Sequence, residues 1–482
     1  MKSISILGTS SNAGKSWITT ALCAWLHSKG VRVAPFKAQN MANNAYATLE
    51  GGEIGVAQAI QAEACGLRPI AEMNLVLLKP SGPNISQIVR LGKAVAEVPA
   101  TEHYRTIEDS WETVTNTLDW WRDKTDVLLI EGAGSPVELN LKDRDIANLR
   151  PINYVNGKWI LAANIELGGV FSQVIGTWNL LSPEEQSRGL GFIVNRFRGD
   201  PSLFSDASSH FGKHTSLPYM GLLPLADHLR IEDEDSMSAA PISKAPDSPY
   251  IAFIRYPQIS NTQDALPWAE DSGIHVHWTT SPSHLAHASA IVLPGSKNTI
   301  ADLAWLREKD FEQVLKDKAN QGVPIVGICG GYQMLGKTLF DPQTQLGAKG
   351  LNLLPIETEF ASEKQVVRRK AVHESDNWET FEIHTGRTQI LAKASPLLHI
   401  QDLNTEPKPE GIALKNIWGS YQHGLFESPS LRRRLITAAR LETQVQVNKR
   451  NYRNQMARKY RAMAEFIEAR LNLDPIKREL EL

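Results

Sequence analysis

The stretch Val323-Pro324-Ile325-Val326-Gly327-Ile328-Cys329-Gly330-Gly331-Tyr332-Gln333-Met334-Leu335 leaves a chain few ways to fold. Its short Val/Ile run reads as a buried strand, and Cys-Gly-Gly followed by Tyr-Gln-Met-Leu reads as a sharp turn into a helix. Cys329 then sits on the elbow. The neighbouring glycines permit the strained backbone that pushes a side chain out at the strand's carboxyl end, and the helix N-terminus behind it favours a thiolate. A free thiol is most often an inert buried one, but two other stretches answer this one. Residues 290–299 form a second apolar strand ending in Pro294-Gly295, whose N–H groups can face an oxyanion, and Trp418 to Gly424 offers His423 after another strand. A thiol, a distant histidine and a glycine-based oxyanion site are what acyl transfer from an amide needs.

The N-terminus is a second anchor. Ile4, Ile6 and Leu7 read as a buried strand that runs into Gly8-Thr9-Ser10-Ser11-Asn12-Ala13-Gly14-Lys15-Ser16, and an apolar helix follows from Trp17. This is the layout of a phosphate-binding loop. Backbone N–H groups and a helix N-terminus meet phosphate oxygens, Lys15 neutralises charge, and Ser16 can reach magnesium. Gly8 lies one residue further from Gly14 than the common pattern, which marks the loop as a variant. The run Asp126-Val127-Leu128-Leu129-Ile130-Glu131-Gly132 gives a buried strand ending in a carboxylate. Buried carboxylates are rare unless paired or coordinating, so Glu131 is the leading metal ligand, with Ser16 beside it. ATP with Mg2+ is the ligand pair this loop predicts.

Charge and cysteines limit the remaining choices. Lys plus Arg total 51 against 53 for Asp plus Glu, so no net field recruits nucleic acid or a lipid surface. The three cysteines are an odd number without metal-ligand spacing, and the first residues lack a signal-peptide run, which together predict a cytoplasmic protein. His275, His277, His284 and His287 cluster in sequence but read as scattered surface residues rather than a zinc site. Apolar strands at 159–163 and 190–195 alternate with helical patterns. The predicted fold class is α/β: an N-terminal P-loop-type parallel sheet with helices on both faces over 1–235, a Ser/Pro/Ala-rich linker over 236–249, and a second α/β domain over 250–440. A basic helical tail over 441–482 reads as a solvated terminal helix, with a homo-oligomer or partner contact as the alternative.

The Gly-Ile-Cys-Gly-Gly-Tyr-Gln elbow, the Pro-Gly-Ser-Lys turn and the Gln-His-Gly strand resemble a class I glutamine amidotransferase domain of the cobyric acid synthase type. Phe36-Lys37-Ala38-Gln39-Asn40-Met41, Gly52-Glu53-Ile54-Gly55, Ala57-Gln58-Ala59 and Leu77-Leu78-Lys79-Pro80 are similar to the other half of that family. The resemblance covers nearly the whole chain, in the family's order. It implies Cys329 as nucleophile, His423 as its base, and the N–H groups of Gly295 and Gly330 as the oxyanion hole. It also implies Lys37 near a transferred phosphate, Gln39, Asn40 and Asn43 near a substrate carboxylate, and Glu53 as a second metal candidate. The implied partners are glutamine and the corrinoid adenosylcobyrinic acid a,c-diamide, whose b, d, e and g carboxylates the family amidates at the expense of ATP. Several positions depart from the pattern. Leu425 stands where the wider class has a glutamate two residues after the histidine, which leaves Glu427 a weak candidate for the third acid. Asn164, Glu166 and Leu167 replace the usual aspartate, aspartate and arginine, and Asn12 and Val56 also differ. Two other readings stay open: an amidoligase acting on another polycarboxylate, and a non-catalytic partitioning-type ATP switch with a decayed amidotransferase domain.

Overall fold

The computed structural model describes residues 1–82, 85–99, 102, 107–231, 245–402, 405–450 and 452–482. Of the predicted linker, residues 236–244 lie outside the described residues. The chain forms two compact units, and neither is continuous in sequence.

The first unit comprises Met1–Ala42, Ile54–Glu234 and Met456–Leu482. Its nine-stranded sheet runs, edge to edge, Tyr219–Pro224, Gly189–Phe197, Lys158–Asn164, Lys2–Gly8, Val127–Glu131, Val33–Met41, Asn74–Gly82, Ile85–Arg90 and Lys93–Pro99. Adjacent strands are parallel as far as Asn74–Gly82. The last two then add antiparallel as hairpins. The parallel strands carry near-continuous apolar runs, as strands buried on both faces must, and Ile4, Ile6, Leu128, Ile130, Leu161 and Val194 are almost fully buried. Ligands of such sheets sit beyond the carboxyl ends of the strands. Gly8 and Glu131 close two neighbouring strands at that end, where Ile6 is in register with Glu131.

The terminal segment differs from the solvated tail expected of it. The helix Tyr452–Glu468 carries apolar residues at helical spacing, and Tyr460, Met463, Ala464 and Ile467 are buried. Within the first unit Tyr460 donates to Glu63 (3.1 Å) and Phe466 packs edge-on against Trp17. Beyond the helix, the Asn472 N–H bonds to the Met220 carbonyl at 2.7 Å. The basic residues gave the segment a solvated appearance; the apolar stripe between them decided where it packs.

The second unit comprises Asn43–Glu53 and Asp235–Gln455. Its central sheet runs His275–Thr279, Tyr250–Ile254, Ala290–Leu293, Ile325–Ile328, Ile417–Ser420 and Ile412–Leu414, parallel except at the last, antiparallel edge. A separate sheet is built around the long hairpin of Ile356–His373 with Asp376–Ile390. The segment Asn43–Glu53, distant in sequence from everything else in this unit, is held by the loop before Asp264. Asn44 donates to Thr262 (3.0 Å), the Ala45 N–H donates to the Asn261 side-chain oxygen (3.0 Å), and Gln263 donates to the Ala45 carbonyl (3.2 Å). Among the described residues no helix is long and apolar enough to cross a membrane.

Candidate active sites

In the second unit the buried strand Ile325–Ile328 ends and the five-residue helix Gly330–Met334 begins with only Cys329 between them. Cys329 has φ 52° and ψ −106°, a backbone that side chains rarely adopt and that functional sites retain when the surroundings enforce it. The enforcement is steric. Gly331 approaches the neighbouring strand so closely that a Cβ there would lie 1.9 Å from the Leu293 carbonyl oxygen, and its own N–H bonds to the Pro294 carbonyl at 3.0 Å. Gly330 opens the helix, so its N–H has no partner inside it. A Cβ on Gly330 would meet the Ser296 N–H, while one on Gly295 would touch His423 Cε1 at 3.0 Å. Gly295, Gly330, Cys329 and His423 therefore come together around one point.

His423 is fully buried. Its Nδ1 lies 2.7 Å from Asp264, whose other oxygen accepts the Gly424 N–H at 2.7 Å. Its Nε2 lies 2.9 Å from the Asn261 amide nitrogen, and the Cys329 sulfur is near enough to act on the charge of the ring. Burial alone would lower the imidazole pKa. The Asp264 carboxylate and the Cys329 sulfur act against it and raise it to about 10. The Phe381 ring stacks on the imidazole at 5.2 Å between centroids. The carboxylate on His423 Nδ1 is thus that of Asp264 and not that of Glu427. Sequence reading missed it because 159 residues separate it from the histidine, and Thr262–Glu270 is an irregular turn of 3-10 helix with no periodicity to mark it. Asn261 was missed for the same reason.

In the first unit the loop from Gly8 to Lys15 is shaped by Gly14 at φ 91°, where a Cβ would also fall 1.9 Å from the Asn195 amide. Asn164 and Asn195 hold the loop from outside, donating to the carbonyls of Asn12 (3.2 Å) and Ala13 (3.1 Å). Thr9 donates to Gln173 at 3.0 Å. Lys15 bends back over the loop to the carbonyls of Ser10 (3.1 Å) and Gly134 (3.0 Å). Glu131 is fully buried and gathers donors on both oxygens. Ser16 (2.8 Å) and Lys37 (2.7 Å) meet Oε1, and Gln61 (2.5 Å) and Gln58 (3.4 Å) meet Oε2. Burial raises its pKa, but Lys37 and the other donors outweigh that and leave it below the ordinary carboxylate value. Gln58 stands in a family-like run, yet nothing in the sequence attaches it, or Gln61, to the carboxylate.

Ser16 and Glu131 present hard oxygens side by side next to a phosphate loop. That donor set fits magnesium, which takes one or two protein oxygens and fills its remaining positions with phosphate and water. Glu53, the second metal candidate, is assigned to the second unit and pairs there with Lys364. Of the substrate candidates, Lys37 is committed to Glu131, Gln39 lies two residues further along the same strand, and Asn40 donates to Gln58 at 3.1 Å. Asn43 belongs to the second unit. The Asn164 substitution has a local explanation, since the amide caps the loop as a donor, which a carboxylate cannot do. Glu166 pairs with Arg198 at 2.8 Å, while Leu167 is exposed.

Comparison with known proteins agrees with this division. Residues 4–238 match the CobQ/CobB/MinD/ParA nucleotide binding domain, and residues 250–431 match the CobB/CobQ-like glutamine amidotransferase domain. The chain is 41% identical over 448 residues to a cobyric acid synthase of Desulforudis audaxviator, covering 90% of each protein. It is 38% identical over 498 residues to that of Synechocystis sp., covering 100% of this chain and 99% of the relative. With that of Roseiflexus castenholzii it shares 41% over 445 residues, 89% of this chain and 90% of the relative. With both domain types present in order and relatives of this identity along its length, the chain belongs to the cobyric acid synthase family.

Proposed function

We propose that the chain is a glutamine-hydrolysing, ATP-dependent amidoligase that converts the b, d, e and g carboxylates of adenosylcobyrinic acid a,c-diamide to amides. The observation that carries this reading is the Cys329–His423–Asp264 constellation beside the N–H groups of Gly295 and Gly330, in one chain with a phosphate loop.

A carboxylate resists attack because its charge and resonance oppose a nucleophile, so the first unit activates it by transferring the γ-phosphoryl group of ATP, giving an acyl phosphate. Loop N–H groups and Lys15 hold the phosphates and stabilise the charge that builds on the phosphoryl oxygens, and Lys37 lies on the strand leading to the same sheet end. Magnesium, when bound, adds charge neutralisation at the phosphate oxygens, with Ser16 and Glu131 as its protein ligands. Gln39 and Asn40 are the proposed contacts to the corrinoid carboxylate. In the second unit Cys329 attacks the side-chain amide of glutamine. The amides of Gly295 and Gly330 hold the oxyanion, and His423, oriented by Asp264, delivers a proton to the departing ammonia. Water then clears the glutamyl thioester, and the ammonia displaces phosphate from the acyl phosphate.

The test is product formation from the a,c-diamide with Mg-ATP and either glutamine or ammonium as nitrogen source. Cys329→Ala should lower glutamine-driven amidation by roughly 10³-fold or more and leave ammonium-driven amidation near wild type. ATP turnover without amidated product from either nitrogen source would refute the synthase reading and favour an ATP-driven switch.

A further inference from the structure

His423 Nε2 faces a group that no catalytic scheme for the Cys329–His423 pair requires. Asn261 is almost fully buried and sits at φ 57°, ψ 55°, a left-handed backbone held in place by its contacts. Its side-chain oxygen is engaged with the Ala45 N–H at 3.0 Å. A backbone N–H can only donate, so the oxygen of the amide must point there. The NH2 end is thereby turned toward His423 Nε2, 2.9 Å away. Two N–H groups cannot face each other across that distance, so in this arrangement Nε2 accepts and the ring proton resides on Nδ1, against Asp264; the amide donor thus opposes the second protonation that Asp264 and Cys329 favour at the ring. The thiol is consistent with this state: Cys329 Sγ lies 3.6 Å from the Ile383 carbonyl oxygen, a contact that suits S–H and repels a thiolate.

We infer that Asn261 is a positioning residue, set by the Ala45 N–H, that holds His423 as the neutral Nδ1–H tautomer and keeps the proton on Cys329 while the segment Asn43–Glu53 is docked on the 261–263 loop. Turning the amide over, once Ala45 withdraws, presents its oxygen to Nε2. The S–H bond can then break and the Nε2–H bond form, giving a thiolate and an imidazolium that both Asp264 and Asn261 accept from. Asn43–Glu53 follows the strand Val33–Met41 in the chain after Ala42. Among the described residues the charged and titratable groups around His423 are few. Asp264 and Cys329 touch it, Phe381 stacks on it, Glu382 on the adjoining strand is committed to Arg369, Gln422 and His384, and Glu427 lies beyond Gly424.

This inference rests on Cys329 and His423 forming the proposed amide-cleaving pair, but its test does not need turnover. In the full-length protein labelled with ¹⁵N-histidine, His423 is assigned by loss of its signal in His423→Gln, and Nε2 should be unprotonated near pH 7 in the unliganded wild type. In Asn261→Asp one carboxylate oxygen keeps the Ala45 N–H and the other faces Nε2, so the ring should become doubly protonated. The alkylation of Cys329 by iodoacetamide, followed by mass spectrometry of its peptide, should shift its midpoint at least about one pH unit lower in that variant. Ala45→Pro, which removes the N–H, should shift it in the same direction by less. A doubly protonated His423 at neutral pH in the wild type overturns the inference, and so does an alkylation midpoint unchanged in folded Asn261→Asp. Failure of amidation with an unprotonated Nε2 would instead count against the proposed reaction and leave the positioning role standing.

Discussion

Both units put their chemistry where a parallel strand turns into a helix, yet they build the turn in opposite ways. Between Gly8 and Lys15 the first unit spreads the change over a loop with Asn12 at φ 60° and Gly14 at φ 91°. Between Ile328 and Gly330 the second compresses it into Cys329. A polyanion is held by many amides at once, so its turn must expose backbone. A nucleophile is one atom that must be aimed, so its turn must concentrate strain on one residue. The supporting groups follow the same logic. Asn164 and Asn195 brace backbone carbonyls of the loop, whereas the elbow is braced by close packing of Gly331 on Leu293.

If the two turns work independently, the two nitrogen sources separate them. Lys15→Ala should lower amidation by roughly 10²- to 10³-fold with glutamine and with ammonium alike, because it acts on the phosphoryl step that both share. Cys329→Ala spares ammonium. Comparable losses with both nitrogen sources in Cys329→Ala, measured as initial rates of amide formation, would break the comparison. Asp264→Asn sharpens it inside the second unit. The amide cannot accept from Nδ1–H and from Gly424 while balancing an imidazolium, so glutamine-driven kcat should fall by roughly 10²- to 10⁴-fold, with ammonium-driven kcat retained. A loss confined to KM would mean that Asp264 shapes the glutamine pocket and does not orient His423.

These residues also show where sequence reading reaches and where it stops. The loop around Gly14 and the elbow at Cys329 each fit within about a dozen residues, so strand, turn and helix signals are contiguous and both were legible, as was the parallel α/β architecture. Asp264, Asn261 and the docking of Asn43–Glu53 were not. Each depends on a partner more than 150 positions away, and none lies in an element with a period of its own. The C-terminal helix shows a different limit. Its charges were visible, but whether Met463 and Ile467 face water or a core depends on a surface that the rest of the first unit provides.

The buried carboxylates extend the comparison from turns to charge. Glu131 in the first unit is fully buried and Glu410 in the second half-buried, and Glu131 is ion-paired with Lys37 whereas the oxygens of Glu410 accept from neutral donors. Replacing Glu131 with Gln takes its charge away from the buried Lys37 ammonium, a change that costs about 3–5 kcal/mol. Glu131→Gln should therefore lower the melting temperature of the first unit by roughly 10 °C, beyond any effect on nucleotide binding. A melting temperature unchanged in calorimetry would mean that Lys37 sheds its proton once Glu131 is neutral.

Glu410 is the reverse case and gives the smallest effect. Its oxygens accept from Ser420 (2.7 Å) and from the Tyr421 N–H (2.9 Å), but burial outweighs these bonds and raises its pKa from 4.5 to about 7. Between those two values the folded chain retains a proton that the unfolded chain has released. The stability of this state is fully present below about 4.5 and is lost as pH rises through about 7, on the order of 3 kcal/mol in all. Glu410→Gln stays neutral throughout, its oxygen still accepting from Tyr421 and its NH2 donating to a reoriented Ser420 hydroxyl. The variant should match wild type at pH 4.5 and melt about 5 °C or more above it at pH 8. A difference that does not grow with pH would show that Glu410 is ionised in the fold, and the second unit would then need a cation it has not been credited with.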